Sequence, residues 1–246
     1  MEFEHLVVII AALGAGAFVK GATGMGLPLV AMPVLVSAFG LPHAMSLIII
    51  PTSVTNAWQV WRFRQERTDP KVAFLLPMLL GSAFGVGVGT LALVRLDQRV
   101  LSMALGLLLL GYVALRLLRP NLVLTEDVGR RAAAPAGFAA GLLQGSTGIP
   151  APVVVTFIHA MGLSFAAHIF AISAAFLMLS AAQLPALTIS GVLRPEWLLE
   201  SLIAMPPILG LMHLGQRFGS RISRAAFDRL ILGFLALVGL KLVFAP

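Results

Sequence analysis

The sequence predicts an all-α polytopic membrane protein built from two inverted repeats. Each repeat is a broken or re-entrant helical hairpin plus three transmembrane helices. Three observations carry this: composition, alternating basic loops and a duplicated glycine-rich motif. Of 246 residues, 59% are hydrophobic and only 11% charged, and the mean hydropathy is +0.99. A soluble domain carries about 25% charged residues, so this chain cannot cover a water-facing surface. The same hydrophobicity excludes disorder. The absence of cysteine excludes a disulfide scaffold, a zinc finger and a thiol enzyme. The formal charge of +7 and pI near 11.3 would suit nucleic acid if the cations shared one face. They fall instead between apolar runs, so membrane lipid is the expected partner and nucleic acid is not.

A membrane-crossing helix needs about 20 mostly apolar residues. His43–Trp61, Val72–Val94, Trp197–Gly215 and Ala225–Phe244 meet that, as do Val100–Leu118 and Phe165–Ile189, the last with Pro185 near its end. Leu6–Val19, Pro28–Phe39, Ala132–Leu143 and Pro152–Met161 are shorter and broken by glycine. The last three rise only about 15–18 Å at 1.5 Å per residue, which reads as half-helices or re-entrant arms.

Loop charge orients these spans. Arg62, Arg64, Arg67 and Lys71 mark one cytosolic loop; Arg116, Arg119, Arg130 and Arg131 a second; Arg217, Arg221, Arg224 and Arg229 a third. The intervening connections hold Arg95 and Arg99, or Arg194 alone. Glu2 and Glu4 precede the first apolar run, unlike the basic start of a cleavable signal peptide. Both termini are therefore expected outside, in the periplasm if the membrane is a bacterial inner membrane.

Lys20-Gly-Ala-Thr-Gly-Met-Gly-Leu-Pro28 recurs as Gln144-Gly-Ser-Thr-Gly-Ile-Pro-Ala-Pro152. Gly21/Gly145, Thr23/Thr147, Gly24/Gly148 and Pro28/Pro152 are each 124 positions apart. A short apolar piece, then Gly40-Leu41 or Gly162-Leu163, then a long helix follow both copies. Equivalent loops differ in charge: the long helix of the first half ends among four cations, its counterpart near Arg194 alone. That places equivalent loops on opposite sides and makes the repeat inverted. The expected division is a first repeat over 1–119, a cytosolic linker over 120–131 and a second repeat over 132–246.

With the duplicated Gly-rich break, the proline-led short helix, Gly-Leu-Pro and the long helix ending in basic residues, the sequence resembles the sulfite exporter TauE/SafE family. The tail Leu214-Gly-Gln-Arg-Phe-Gly-Ser-Arg-Ile-Ser, then Phe227-Asp-Arg-Leu-Ile-Leu-Gly, is similar to that family's closing segment. The resemblance covers essentially the whole chain. It implies an integral membrane carrier for sulfur oxyanions or organosulfonates, usually an exporter, with no cofactor. Gly26-Leu27-Pro28 stands where members often show Gly-Gly-Gly, and Pro150-Ala151-Pro152 where they usually show Gly-Gly-Pro. Both departures fall at the expected site and leave the substrate open.

The break has its own physical reading. Glycines let the backbone unwind and approach a ligand, and proline favours the first turn of the following helix. Free N–H groups and the positive end of the helix dipole there suit an anion. Gly21, Gly24 and Gly26 in one copy, and Gly145 and Gly148 in the other, are thus candidate binding residues, with Thr23, Ser146 and Thr147 as hydroxyl donors. The alternative is that the glycines serve only tight helix packing. Lys20 is the cation in the first copy and Gln144 its partner position in the second. A lysine at the bilayer centre costs about 2.5–3.5 kcal/mol, so it either binds an anion there or snorkels to an interface. Asn56 and Gln59, three apart on one helix face, either line a pathway or bond between helices. Ser173, Ser180 and Gln183 are their counterparts.

Gly81, Gly85 and Gly89 form a helix-packing face, and Trp58, Trp61 and Trp197 read as interfacial anchors. Glu200 is a weak candidate for proton coupling, and His159, His168 and His213 carry no stronger signal. No phosphate-binding Gly-x-x-x-x-Gly-Lys-[Ser/Thr] run is present, so energy would come from ion or proton gradients or from a partner subunit. The competing readings are a passive anion channel, a membrane subunit of a larger complex, and an intramembrane hydrolase using Ser146 with His159 or His168. A homodimer is compatible with all of them.

Overall fold

The computed structural model describes residues 3–118, 123–218 and 224–244, and within them there is no strand. The helices are α1 (Phe3–Thr23), α2 (Leu27–Phe39), α3 (Leu41–Arg62), α4 (Leu75–Arg95), α5 (Gln98–Leu118), α6 (Glu126–Thr147), α7 (Ala151–Ala160), α8 (Phe165–Ile189), α9 (Pro195–Ile203), α10 (Met205–Phe218) and α11 (Arg224–Phe244). Two 3₁₀ turns, Arg64–Thr68 and Pro70–Val72, lead into α4. Glu2, Arg119 and Arg221 of the charge pattern lie outside the described residues, as do the side chains of Arg224 and Arg229.

Four helical stretches are long and apolar enough to cross a membrane: Glu4–Thr23, Pro70–Arg95, Arg99–Leu118 and Phe165–Ile189. α9 and α10 add a fifth if taken as one bent span. The chain is a multi-pass membrane protein. α3 is as long, at 22 residues, but Thr52, Ser53, Thr55, Asn56 and Gln59 dilute its hydropathy.

Three segments depart from the expected lengths. The arm expected over Leu6–Val19 extends over all of α1, 21 residues and about 31 Å at 1.5 Å per residue. The arm expected over Ala132–Leu143 extends over α6, 22 residues, because the polar stretch from Glu126 joins the same helix. Much of the expected linker is therefore helix. The span expected over Trp197–Gly215 is two helices that bend by 44° around Ala204. Pro206 and Pro207 follow that bend, and a proline there deletes the backbone donor that would continue α9. The short arms α2 and α7 stand where the sequence places them.

The chain forms two compact units that interleave along the sequence. The first comprises Met1–Pro51, Leu96–Leu118 and Leu193–Pro246, and the second Thr52–Arg95 and Arg119–Val192. α3 runs from one into the other, changing at Pro51.

In the first unit α1 packs on α10, and glycine makes the approach close. A Cβ at Gly21 would collide with the Met212 carbonyl, and one at Gly215 with the Phe18 carbonyl. α2 folds back along α1: Leu27 lies against Gly16, and the Phe39 ring is 5.3 Å from that of His5. α5 and α11 meet at Gly106 and Gly239.

In the second unit α4 and α6 face each other with glycine at every fourth position. Gly81, Gly85 and Gly89 face the carbonyls of Ala134, Phe138 and Leu142; Gly137, Gly141 and Gly145 face those of Met78, Ser82 and Val86. Such stripes let two helix backbones touch, which replaces the hydrophobic driving force missing in lipid. The expected packing face of α4 is thus present, and its partner stripe on α6 is a finding. Gly87 points away, with nothing within 4 Å of its Cβ position.

Candidate functional site

The first glycine-rich break lies in the first unit, between α1 and α2. Gly24 and Gly26 take φ values of 84° and 104°, the left-handed region that favours glycine. The Gly24 amide donates to the Lys20 carbonyl at 2.7 Å, closing the last turn of α1. The Thr23 hydroxyl donates to the Val19 carbonyl at 2.9 Å and accepts from the Met25 amide at 3.4 Å.

The second break lies in the second unit, between α6 and α7, and repeats this geometry. Gly148 has φ 72° and its amide donates to the Gln144 carbonyl at 3.0 Å. The Thr147 hydroxyl donates to the Leu143 carbonyl at 2.7 Å and accepts from the Ile149 amide at 3.3 Å. Ser146, which has no hydroxyl counterpart at Ala22, donates to the Leu142 carbonyl at 2.8 Å rather than to a histidine. A threonine followed by a left-handed glycine therefore ends both helices, and each hydroxyl of this set is engaged with its own helix.

The first turns that follow differ in donors. The first four N–H groups of a helix have no partner within it. At α2 these belong to Gly26, Leu27 and Leu29, with Pro28 contributing none. At α7, Pro150 and Pro152 contribute none, and the Val153 amide turns back to the Pro150 carbonyl at 3.1 Å. Ala151 alone carries an amide N–H there that no residue in this turn takes up.

The two copies also differ where their sequences do. Lys20 is enclosed by protein, 3% exposed in the last turn of α1. That enclosure removes the interfacial exposure a snorkelling lysine would have. Gln144 is equally enclosed at 4%, and its side-chain amide donates to the Gln183 Oε1 on α8. The Gln183 amide returns a 2.9 Å bond to the Gln144 carbonyl.

Gly21 and Gly145 lie against the backbone of a neighbouring helix, at Met212 and Val86 respectively, which is the packing role that stood as the alternative to ligand contact. Gly24, Gly26 and Gly148 carry the break itself.

Asn56 and Gln59 are buried on the part of α3 that belongs to the second unit. Asn56 donates to the Thr52 carbonyl at 2.8 Å, and the Gln59 Oε1 accepts from Ser173 on α8 at 3.0 Å. Ser173 and Gln183 are ten residues apart on α8, about 15 Å along the helix, so the Gln59 and Gln144 contacts stand at different levels. Thr52 heads the same face of α3, and its buried hydroxyl has no partner among the described residues. Thr90 and Thr156 in this unit are alike. His159 and His168 stand edge to face, 5.8 Å apart. Among the described residues no group of three or more His, Cys, Asp or Glu could hold a metal ion.

Sequence patterns named Gln183 and Ser173 only as counterparts of Asn56 and Gln59. The contact between Gln183 and Gln144 spans 39 positions and leaves no local mark.

The family model for the sulfite exporter TauE/SafE matches residues 8–242. No curated protein and no solved structure matches the chain.

Proposed function

Because the chain belongs to the sulfite exporter TauE/SafE family, a family of membrane anion transporters, we propose that it is a secondary exporter of a small oxyanion such as sulfite or an organosulfonate. The anion binds at the first glycine-rich break, between α1 and α2. The observation that carries this reading is Lys20, a cation enclosed by protein in the turn that ends at the left-handed Gly24. An ionisable residue enclosed within a membrane helix marks a substrate path by default. Three backbone donors at the start of α2 that have no partner within that helix add to it, since helix N-termini favour anions by about 0.3–1 kcal/mol per interaction. Asn56, Gln59 and the orphan Thr52 hydroxyl form a buried polar face on α3 that suits a path for a hydrated or polar solute.

We further propose that the two sequence halves are inverted repeats. The Gly21–Met212 contact has the counterpart Gly145–Val86, and Gly215–Phe18 has the counterpart Gly89–Leu142. Paired positions differ by 124 or 126 throughout, so one packing arrangement is used twice. Inversion is tested by labelling single cysteines placed at Glu66 and Val192 in this cysteine-free chain. Opposite sides are expected, and the same side for both would end the inverted reading.

The transport reading is tested with the purified protein alone in proteoliposomes. Saturable counterflow of sulfite or a small sulfonate is expected. Flux that never saturates would favour a channel, and no flux of any sulfur oxyanion, sulfonate or carboxylate would overturn the proposal. Lys20→Ala should weaken substrate binding while the protein stays folded; unchanged affinity would reduce Lys20 to a structural residue.

A further inference from the structure

His43, in the first turn of α3, and Glu200, in α9, form a hydrogen-bonded pair within the first unit, with Nε2 2.7 Å from Oε2. Their side chains are only 16% and 15% exposed. The pair sits in an aromatic setting. The His43 ring stacks on Trp197 at 4.5 Å and 15°, and Phe39 tilts against it at 5.0 Å. The Arg194 guanidinium covers Trp197 at 4.8 Å, and His5 meets Phe39 edge-on. The starts of α1, α3 and α9 and the end of α2 thus converge on one hydrogen-bonded pair.

α9 is attached differently from α10. α10 is fixed to α1 by glycine–backbone contact. α9 departs from it at the 44° bend. Its bonds to α3 are the His43–Glu200 pair, the ring stack, and a 2.6 Å bond from the Ser201 hydroxyl to the Leu47 carbonyl. The charge state of the pair therefore bears directly on how α9 is held.

Other titratable groups surround this end. α1 brings Glu4 and His5, and α9 and its N-cap bring Glu196 and Arg194. Lys241 of α11 bonds to Ser37 of α2, which itself has no titratable residue. α10 brings His213 and Arg217 beyond the bend.

We propose that His43 and Glu200 together form the proton-binding site that couples anion movement to the transmembrane proton gradient. This rests on the transport reading above. With neutral imidazole and ionised carboxylate the pair has net charge −1. One proton converts it to an imidazolium–carboxylate pair of net charge zero, and a second to +1. The first step keeps the hydrogen bond and adds an ionic attraction between α3 and α9; the second removes it. Histidine and carboxylate groups placed within membrane helices serve proton relays in this way. Glu200 alone was visible in the sequence; His43, 157 positions away, turns a single carboxyl into a two-group site.

The test uses the full chain in proteoliposomes with labelled methanesulfonate, whose sulfonate stays ionised, so that pH acts on the protein. Sulfite serves as second probe. Counterflow at equal pH on both faces reports carriage itself; net flux under an imposed pH gradient reports coupling. Glu200→Gln keeps a hydrogen-bonding partner for His43 but holds no exchangeable charge. It should retain counterflow within about 2-fold and lose gradient-driven flux by about 10-fold or more, as expected when a proton-relay carboxyl is neutralised. His43→Gln should do the same. A Glu200→Gln protein that follows the pH gradient like wild type overturns the assignment. So does loss of counterflow in both variants at an unchanged melting temperature, which would make the pair a positioning device. Wild-type protein with neither probe in counterflow would sink the transport reading and coupling with it. A gradient response missing from wild type that still shows counterflow would sink coupling alone.

Discussion

At the first break α1 ends on Thr23 and Gly24, and at the second α6 ends on Thr147 and Gly148. In both, the threonine hydroxyl bonds the carbonyl four residues back and caps the amide two residues on. In both, the glycine before it lies against the backbone of another helix. The shared parts are backbone geometry. The side chains differ: Lys20 in one, Gln144 bonded twice to Gln183 in the other. The first helix turns differ too, because two prolines remove donors from α7. A duplicated frame has thus been kept for packing while its two ends have diverged, one toward a lysine and a first helix turn with more backbone donors, the other toward a closed amide pair. The division of labour proposed here, an anion held chiefly at the first break, rests on that divergence.

The largest effect should come from breaking the shared frame. Gly21→Leu and Gly145→Leu each force a side chain into a neighbouring backbone carbonyl, and overpacking of this kind costs about 3 kcal/mol or more. Both variants should lose their monodisperse peak in size-exclusion chromatography. If one stays folded and the other does not, the two frames are not energetically equivalent.

Next come the residues that differ. Lys20→Gln makes the first break resemble the second, and should weaken sulfite affinity about 10-fold, or about 1.4 kcal/mol. Gln144→Ala should change affinity little. It should instead lower stability by about 1–3 kcal/mol, because the buried Gln183 Oε1 loses its donor. Calorimetric titration and thermal melting of the two variants separate these outcomes, and a reversed pattern would move the anion to the second break.

A smaller change is expected from Pro150→Ala, which returns an N–H to the start of α7. If the first break holds the charge, affinity should rise by no more than about 1 kcal/mol, the scale of one helix-terminus interaction. The smallest effect belongs to Gly87→Ala, where a Cβ meets nothing within 4 Å. Replacing a helix-interior glycine there should be stabilising by about 0.5–1 kcal/mol, and Gly85→Ala, aimed at the Phe138 carbonyl, should be destabilising. Equal effects at the two positions would contradict the packing stripe.

Local sequence gave good access to the breaks. Thr-Gly followed by a proline-led apolar run predicts a helix stop and restart, since only glycine takes the left-handed turn freely and proline suits a first turn. Both short arms, α8 and the α4 glycine face are found where they were expected. The ends of α1 and α6 were misjudged because glycine and charge interrupt their hydropathy, whereas backbone hydrogen bonding continues through both. The α9–α10 bend was missed for the opposite reason: the apolar run is continuous across Ala204 while prolines 206 and 207 interrupt the bonding.

Sequence alone determined that the chain is too apolar for water, that most of its basic residues fall between apolar runs, and that one helix-break motif occurs twice. These follow from composition and from short-range backbone chemistry, which a linear string records. Only tertiary structure decided which helices belong together. The compact units mix the sequence halves: α4 packs on α6 and α10 on α1, through glycine faces that are self-evident only once both partners are in place. Pairings such as Gln144 with Gln183 and His43 with Glu200 were decided at the same level. A buried polar side chain takes whichever partner the packed helices bring within about 3 Å, and sequence separation does not enter that choice.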